Sequence, residues 1–451
     1  MKLDAWTRRC TVVALGALSA CTCAEKEPPG DGPYAPPAES CEAAAVDQVR
    51  TFPACSTGSG IFGRWTVDQA GLPAYDYGLD QNADPRASFF NTEGKDRRDH
   101  WAAFGNQRVN ALAFNDGYLE VVTQDRGVEY LNKFDEPRRN YAGGFGYLDD
   151  GEETWCTAYK WRPALARTTR RFGLGYAEAQ VWYRGVRASR RSFSPPGDAP
   201  VVLSEVTLEN TSKQTKHLRH YEYWDVARRP IEINWVVSGD PFLTAPADAA
   251  SSRDGRNAMF DEAVSWDADE KVLGLRRTHA AGTTAPPRAQ PNQVDYYPPD
   301  PFLAVLVGEP SDVYADQTSF FGEGGVASPA AVAARAAGDG LAAGAKGRPG
   351  KGSGQTRMFL VRSDLTLAPG ERRVLRFAYG YAPMSQPFAL DPSWSDAAAD
   401  LRGAAVDSFR PHLMYFAADG APELHRELAW HTYQMEASVG RRDYWDQHVV
   451  P

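Results

Sequence analysis

Acidic residues cluster in one short stretch, "YLDDGEE", which holds Asp149, Asp150, Glu152 and Glu153. A pair of carboxyl groups can act as general acid and general base, so the stretch contains the residue types for that chemistry. The four residues flank Gly151, however, and glycine among acidic residues is typical of a solvated hairpin turn. We interpret the stretch as a turn, and we predict no catalytic residue in the chain.

A second group of residues combines flat rings with hydrogen-bond donors. It surrounds a pair of glycines at 143–144 and comprises Arg138, Arg139, Asn140, Tyr141, Trp155 and Trp161. Rings, guanidinium groups and amides together suit hydroxyl-rich ligands, so these six are the candidate substrate-binding residues. The alternative, which the sequence favours, is that they pack the core of the domain or its interface with a helical domain.

Metal ions and cofactors are not predicted. His217 and His220 lie three residues apart in a predicted strand, so their side chains point to opposite faces. The cysteines lack the CxxC spacing of zinc sites. The sequence also contains neither a G-x-S-x-G nucleophile motif nor an H-E-x-x-H helix motif.

Composition narrows the class of ligand. The chain has 451 residues, a net charge of −9 and 43% hydrophobic residues, which is ordinary for a globular protein. The negative charge argues against nucleic acid as a partner, because no basic surface collects phosphates. Aromatic residues make up 12% of the chain. Aromatic rings suit sugars, although a large β core favours the same excess.

The N-terminus indicates export and a lipid anchor. Lys2, Arg8 and Arg9 precede the apolar stretch Thr11–Ala20, which is too short to span a bilayer. The following "LSAC" resembles the lipobox of bacterial lipoproteins, which implies cleavage after residue 20 and acylation of Cys21. The Thr after Cys21 favours the outer membrane of the cell envelope. An ordinary secretory signal is the alternative, and the Pro-rich residues 21–60 are predicted to be a flexible tether.

The remaining cysteines permit one disulfide prediction. An exported protein enters an oxidising compartment. Removal of residues 1–20 and acylation of Cys21 leave Cys23, Cys41, Cys55 and Cys156, which allow three pairings. Cys41 and Cys55 close a short loop and are the preferred disulfide candidate.

Residues 61–385 show the pattern of a mainly β domain. Short alternating strands flank hairpin turns at Asn115–Gly117 and Arg184–Gly185. Further strand pairs surround Asn210–Lys213 and Ala368–Glu371. Helices do not alternate with the strands, so a large antiparallel sandwich is predicted rather than a parallel sheet.

Helical periodicity begins near the C-terminus. Residues 386–421 are predicted to be a helical linker, and 422–451 the start of a further helical domain. The second helix carries Pro422 in its first turn and one apolar stripe: Leu424, Leu428, His431, Met435 and Val439. An uncovered stripe of this kind predicts dimerisation or poor solubility.

Five stretches carry a resemblance to a known family. They are "NYAGGFGYLDDGEETW", "RRFGLGYAEAQVWYRGVRASRRSF", "VVLSEVTLENTSKQTKHLRHYEYWDV", "SFFGEGGVASPAAV" and "LTLAPGERRVLRFAYGY". In order and spacing, residues 61–385 resemble the N-terminal β-supersandwich of glycoside hydrolase family 94, formerly glycosyltransferase family 36. The resemblance implies a fold similar to that of galactose mutarotase. The stretch from Glu427 to Pro451 resembles the segment that opens the family's helical domain.

The resemblance also implies what the chain would do. Family members carry their general acid and phosphate-binding groups in an (α/α)₆ barrel after the supersandwich, and these motifs are not found before Pro451. The chain is therefore expected to be a lipid-anchored, truncated or split member, whose family activity is glycosyl transfer or phosphorolysis of β-glucosides. The alternative is a surface lipoprotein that binds carbohydrate without catalysis; a third interpretation is an inactive remnant or a frameshift. The expected partners are a β-glucan or β-linked oligosaccharide, and a second copy or a separate catalytic-barrel polypeptide.

Overall fold

Antiparallel strands dominate the computed structural model, which describes residues 50–52, 58–60, 62–78, 100–123, 129–230, 257–282, 298–341, 357–382, 389–416, 421–442 and 447–449. The lipid-attachment candidate Cys21 and the disulfide candidates Cys41 and Cys55 lie outside these residues. No helix among the described residues has both the length and the apolar character needed to cross a lipid bilayer.

Twenty-four strands occur within the described residues. They are β1 (Gly63–Val67), β2 (Pro73–Tyr77), β3 (Trp101–Gly105), β4 (Val109–Phe114), β5 (Leu119–Thr123), β6 (Glu129–Asn132), β7 (Phe134–Asp135), β8 (Asn140–Tyr141), β9 (Gly143–Asp149), β10 (Thr154–Cys156), β11 (Arg167–Gly173), β12 (Tyr176–Tyr183), β13 (Val186–Phe193), β14 (Val201–Asn210), β15 (Lys216–Asp225), β16 (Arg229–Pro230), β17 (Phe260–Asp267), β18 (Val272–His279), β19 (Asp300–Val307), β20 (Asp312–Asp316), β21 (Arg357–Leu367), β22 (Arg372–Ala382), β23 (Gly440–Arg442) and β24 (Gln447–Val449).

Most strands belong to two ten-stranded antiparallel sheets. The first sheet has the order β1-β2-β11-β12-β13-β14-β22-β19-β18-β17. The second has the order β16-β6-β5-β9-β15-β21-β20, with β10 paired to β9 and with β4 and then β3 extending from β5. The predicted large antiparallel supersandwich is confirmed.

Four α-helices and five short 3₁₀ segments accompany the sheets in the described residues. The α-helices are α1 (Gln317–Phe321), α2 (Ala330–Ala333), α3 (Ala398–Phe409) and α4 (Pro422–Ala437), and the 3₁₀ segments are Glu136–Arg138, Tyr159–Trp161, Gly322–Gly324, Pro392–Ser395 and Arg410–His412. α3 and α4 lie in the predicted helical regions.

Two predicted hairpin turns are confirmed with their turn chemistry. Between β4 and β5, the N–H of Phe114 donates to the carbonyl of Tyr118, and Gly117 has a φ of +91°. Between β12 and β13, Arg184 and Gly185 have φ angles of +51° and +73°. Two consecutive positive φ angles define the type I′ turn that matches strand twist, so the local sequence sets the β12–β13 hairpin.

The other two predicted turns connect strands of different sheets. β14 lies in the first sheet and β15 in the second, while β21 lies in the second and β22 in the first. The two crossovers meet at Asn210, which is fully buried. Its N–H donates to the carbonyl of Glu371 at 3.0 Å, and its carbonyl accepts from the N–H of Gly370 at 2.8 Å.

The Asn210 side chain completes this corner. Its amide nitrogen donates to the carbonyls of Leu367 and Gln214 at 2.9 and 2.7 Å. Its amide oxygen accepts from the backbone N–H and the hydroxyl of Ser212 at 3.0 and 2.7 Å. One buried side chain therefore satisfies backbone groups of both crossovers.

Side chains pack in three layers around the two sheets. The largest apolar cluster draws residues from both sheets, and the rings of Trp224 and Tyr379 stack there at 4.2 Å between centroids. A second cluster lies on the other face of the second sheet, where Tyr147 donates to the carbonyl of Val326. A third lies on the other face of the first sheet, beneath Trp394 and α3. Both sheets are thus packed on two sides.

The acidic stretch forms the predicted turn between β9 and β10. Asp149 and Asp150 nevertheless have almost no side-chain exposure, because Arg184, Arg219 and Arg335 pair with them. Burial opposes ionisation, but hydrogen bonds from Arg184 and neighbouring backbone N–H groups outweigh it and lower the pKa of Asp150 to about 2. The carboxylates tie neighbouring strands together rather than lying free in solvent.

Helix α4 docks through a different face from the predicted apolar stripe. Ala429, Tyr433 and Ala437 are its buried apolar residues and join the largest cluster. Leu424 and Met435 of the predicted stripe are instead 42% and 61% exposed. The 3.6-residue period fits both faces, and contacts with β2 and β3 decide which one is buried.

Asn210→Ala is expected to lower the free energy of unfolding by about 3 kcal/mol, because it leaves buried backbone groups of both crossovers without partners. Urea unfolding followed by circular dichroism measures this value. The matched control is Ser212→Ala, which removes one hydroxyl but keeps the amide and should cost about 1 kcal/mol. Equal small losses in the two variants would contradict the role assigned to Asn210.

Candidate functional site

The predicted sugar-binding residues are divided between different environments. Arg138 is 47% exposed and pairs with Asp135 at 3.0 Å. Arg139 has a φ of +61° and donates from Nη2 to the carbonyl of Gly322 at 2.9 Å. Asn140 and Tyr141 follow in β8, where Tyr141 is buried. This group therefore connects the second sheet to the segment around α1.

The predicted aromatic residues lie on two faces of the second sheet. The rings of Tyr141 and Trp161 meet edge to face at 5.9 Å in the cluster beneath α1 and α2. Trp155 lies in the cluster between the sheets, where its ring meets Tyr183 at 5.4 Å, and it is 3% exposed. The structure thus brings Tyr141 and Trp161 together and places Trp155 apart from them, inside the core.

Buried Asp225 lies directly beneath the predicted group. One carboxylate oxygen accepts from the N–H of Tyr141 at 3.0 Å and from Nε2 of Gln317 in α1 at 3.3 Å. The other accepts from the N–H of Ala227 at 2.7 Å. Burial dominates these hydrogen bonds and raises the pKa of Asp225 to about 7. Asp225 links α1 to the second sheet, and its place in the core indicates a structural role.

His217 and His220 point to opposite faces of β15, as their spacing predicts. His217 is exposed and meets the hydroxyl of Thr366 at 3.0 Å, whereas His220 is buried against Phe377 between the sheets. Among the described residues, no three His, Cys, Asp or Glu side chains form a metal-binding group. Cys156 is buried with a free thiol, and burial raises its pKa to about 12.

An open groove lies elsewhere, over one face of β3 to β6. Directly opposed residues of antiparallel strands share a face, and the register places Gly105, Asn110, Val122 and Tyr130 in one row across the four strands. A row across four strands is about 14 Å long. Ala103 and Leu112 lie in the next row, and Trp101 opens β3 on the same face. These side chains form the floor of the groove.

Helix α4 and the end of α3 form the wall of the groove, which has a volume of about 1280 Å³. Gln434 holds the wall against β3. Its side-chain oxygen accepts from the N–H of Ala103 at 2.8 Å, and its side-chain nitrogen donates to the carbonyl of Ala103 at 3.1 Å. Asn110 donates from Nδ2 to the carbonyl of Ala437. The last turns of α4 are thereby fixed beside the floor.

The groove is lined by a mixture of apolar side chains and neutral polar side chains, and few of its side chains carry a charge. No Lys or Arg is among the described residues that line it, and Glu436 supplies the one carboxylate there. Trp101 presents an indole ring that is 54% exposed. An exposed ring beside neutral hydrogen-bonding groups can stack on a sugar ring and bind its hydroxyls.

Sequence reasoning did not select the groove residues. Trp101 opens a short strand, and a tryptophan at that position gives no signal of exposure. Asn110 offers a weak signal, because it is the one polar residue in the strand "VNALAF". The wall comes from residues at least 275 positions further along the chain, counted from Tyr130 to Ala405, so the two sides of the groove become neighbours only in the fold.

Comparison with known proteins connects this region to a family. Residues 101–236 match the model of the glycosyl hydrolase 94 supersandwich domain. This range contains the groove floor and the six predicted sugar-binding residues. The predicted resemblance to the family 94 supersandwich is therefore confirmed for this part of the chain. The search of curated proteins found no match.

Solved structures with a similar chain path include two of carbohydrate-related proteins. One is described as a kojibiose phosphorylase from the human microbiome, with a TM-score of 0.40 and 9% identity, over 75% of this chain and 39% of that one. The other is a homologue of GalM and aldose epimerase from C. elegans, with a TM-score of 0.30 and 10% identity, over 63% of this chain and 99% of that one. The chain thus spans 39% of the phosphorylase.

Asp225 generates a testable pH dependence. The pKa of Asp225 is about 7 in the folded protein, against an ordinary value of 3.8. At a pH between these two pKa values, the carboxyl group is protonated in the folded protein and ionised in the unfolded chain. The free energy of unfolding should therefore fall as the pH rises from about 4 to about 7, by at most about 1.4 kcal/mol per pH unit.

Urea unfolding at a series of pH values measures this slope for the unchanged protein and for Asp225→Asn. The variant has no titrating group at position 225. The decrease of its free energy of unfolding with pH should therefore lack the contribution of the Asp225 carboxyl group. Asp269→Asn, at an exposed turn, is the matched control and should keep the original slope. An unchanged slope in Asp225→Asn would show that the carboxyl group is ionised throughout this range.

Proposed function

We propose that this chain is a cell-envelope protein that binds carbohydrate in the groove over β3 to β6. The observation that carries the proposal is the position of the groove floor: it lies within residues 101–236, which match the family 94 supersandwich domain. The expected ligand is a β-glucan or a β-linked oligosaccharide. The six residues of the predicted group around Tyr141 then support the fold rather than contact the ligand.

Physical chemistry supports the groove as the binding region. The exposed face of Trp101 can cover the apolar face of a pyranose ring, which removes apolar surface of both partners from water. Asn110, Gln107 and Thr432 add amide and hydroxyl groups along the same groove. Carbohydrate sites generally combine flat rings with a few placed polar groups, and the groove has both.

The proposal includes a lipid anchor at Cys21, supported by the "LSAC" motif after the apolar stretch Thr11–Ala20. An acyl chain contributes about 0.8 kcal/mol for each buried CH₂, and stable attachment needs more than one chain or a second signal. Residues 21–60 would then separate the domain from an outer membrane. The protein would bind its carbohydrate at the surface of that membrane.

A second candidate is a split glycosyl-transferring enzyme, in which another polypeptide supplies the catalytic barrel. The observation in its favour is the exposed apolar character of the helical region, where Met414, Phe416, Leu424 and Met435 are all exposed. A partner that buries these side chains would gain apolar contact area. A second copy of this chain could bury the same four side chains. A homodimer is therefore the alternative to a complex with a separate catalytic polypeptide.

Trp101→Ala is expected to weaken binding of β-linked gluco-oligosaccharides at least about tenfold, because the stacking surface is lost. Isothermal titration calorimetry at millimolar ligand measures the dissociation constant of the variant and of the unchanged protein. The matched control is Trp182→Ala in β12, a half-buried tryptophan of the other sheet, which should bind as the unchanged protein does. Absence of binding heat with the unchanged protein across β-1,2-, β-1,3- and β-1,4-linked probes would overturn the proposal.

Cys21→Ser is expected to move the protein from the membrane fraction to the soluble fraction of bacterial cells and to abolish labelling with a fatty-acid analogue, since the serine hydroxyl replaces the acylated thiol. Fractionation and in-gel fluorescence measure both effects. Cys23→Ser is the matched control, because it changes a nearby cysteine outside the lipobox. Equal labelling of the two variants would argue for an ordinary secretory signal instead.

A further inference from the structure

Two buried acceptor atoms in the groove lining have no hydrogen-bond partner among the residues that the structure describes. Asn110 is 5% exposed, and its side-chain oxygen is unpaired. Oε2 of Glu436 is likewise shielded from solvent and unpaired. Both residues line the groove. Unpaired buried acceptors are costly, so the presence of both residues in the lining of an open groove indicates that a ligand supplies the missing donors.

The orientation of each acceptor is fixed by a second contact. Asn110 donates through Nδ2 to the carbonyl of Ala437, so an exchange of its amide atoms would place two acceptors against each other. The other carboxylate oxygen of Glu436 meets Nδ1 of His412 at 2.8 Å. Ala437 follows Glu436 in α4, so Asn110 contacts the helix at the residue next to Glu436.

Acceptors of this kind select the chemistry of their ligand. Asn110 Oδ1 and Glu436 Oε2 require hydrogen-bond donors, and hydroxyl groups of a sugar are donors. A carboxylate or sulfate on the sugar offers acceptors alone at pH 7. It would meet the Glu436 carboxylate, whose other oxygen contacts His412, with no Lys or Arg among the described residues of the lining. A metal ion fits poorly, because hard cations such as Ca²⁺ take six to eight oxygen ligands and this position offers one carboxylate.

We infer that Asn110 and Glu436 form a subsite that accepts hydrogen bonds from two hydroxyl groups of a neutral sugar unit and excludes acidic sugars. This inference rests on the proposed carbohydrate binding and adds the residues that set its specificity. Trp101 gives stacking to any pyranose ring, whereas Glu436 distinguishes a neutral unit from a charged one.

The experiment compares two probes of equal length: a neutral β-linked gluco-oligosaccharide and the same oligosaccharide oxidised to carboxylate at C6. Titration calorimetry at pH 7 gives both dissociation constants for the unchanged protein and for Glu436→Gln, Asn110→Ala and Glu427→Gln. Glu427 lies on the same helix outside the groove and pairs with Arg426 and His431, so Glu427→Gln is the matched control. Circular dichroism melting checks that each variant is folded.

The unchanged protein and Glu427→Gln are expected to prefer the neutral probe by at least about tenfold, which is about 1.4 kcal/mol. Glu436→Gln should reduce that preference to about threefold or less, mainly by improving binding of the acidic probe. Asn110→Ala should weaken both probes by a similar factor, because it removes an acceptor without changing charge. If Asn110→Ala does not fold, the change of preference in Glu436→Gln still tests the inference.

Two results would count against it, and they are distinguishable. Binding that depends on Trp101 but has the same preference in the unchanged protein and in Glu436→Gln would overturn the subsite and leave the carbohydrate proposal standing. Absence of binding by the unchanged protein to either probe would overturn both.

Discussion

The hydrogen bonds of Asn210 join the two crossovers between the sheets and so fix the position of one sheet against the other. The chain passes from the first sheet to the second between β14 and β15 and from the second to the first between β21 and β22, and both crossovers pass this buried amide. β14 pairs with β22, and β15 pairs with β21, so the four longest strands of the molecule all begin or end at this corner. A loop that changes sheets exposes backbone groups that strand pairing cannot satisfy, and Asn210 satisfies them. The stacked rings of Trp224 and Tyr379 then face each other across the core.

The position of the groove follows from this corner, strand by strand. β15 pairs with β9, which meets β5 where Gly143 lies opposite Leu119. A Cβ atom on the adjacent Gly144, which has a φ of +72°, would lie 2.7 Å from the side chain of Leu119, so this contact requires glycine. From β5 the ladder continues to β4 and to β3, which pairs with no further strand among the described residues. Gln434 occupies backbone groups of that edge and attaches the wall to the floor.

Local features were predictable from sequence, and features that depend on distant pairing were not. The hairpin at Arg184–Gly185 and the acidic turn at Gly151 follow from turn chemistry within a few residues. The strands on either side of Asn210 were also predictable, but their assignment to different sheets depends on contacts with β21 and β22. Trp155 and Trp161 are close in sequence, yet strand register sends Trp155 into the core between the sheets and leaves Trp161 in the outer cluster. No periodicity within either segment shows which face a partner strand will cover.

The neutral groove depends on how the fold distributes its charges. The chain has 49 Lys and Arg residues, and many arginines that lie on the sheets are paired with a carboxylate of a neighbouring strand, as Arg191 is with Glu178 and Arg277 with Glu262. In such pairs the carboxylate compensates the charge of the guanidinium group, and the contact favours one register of the two strands. The floor of the groove instead takes small, apolar and amide side chains, and no Lys or Arg among the described residues lines the groove. Glu436 consequently acts on a nearly neutral background. In the proposed subsite, the imidazole of His412 contacts the other oxygen of this carboxylate, and neither Lys nor Arg is among the described residues of the lining.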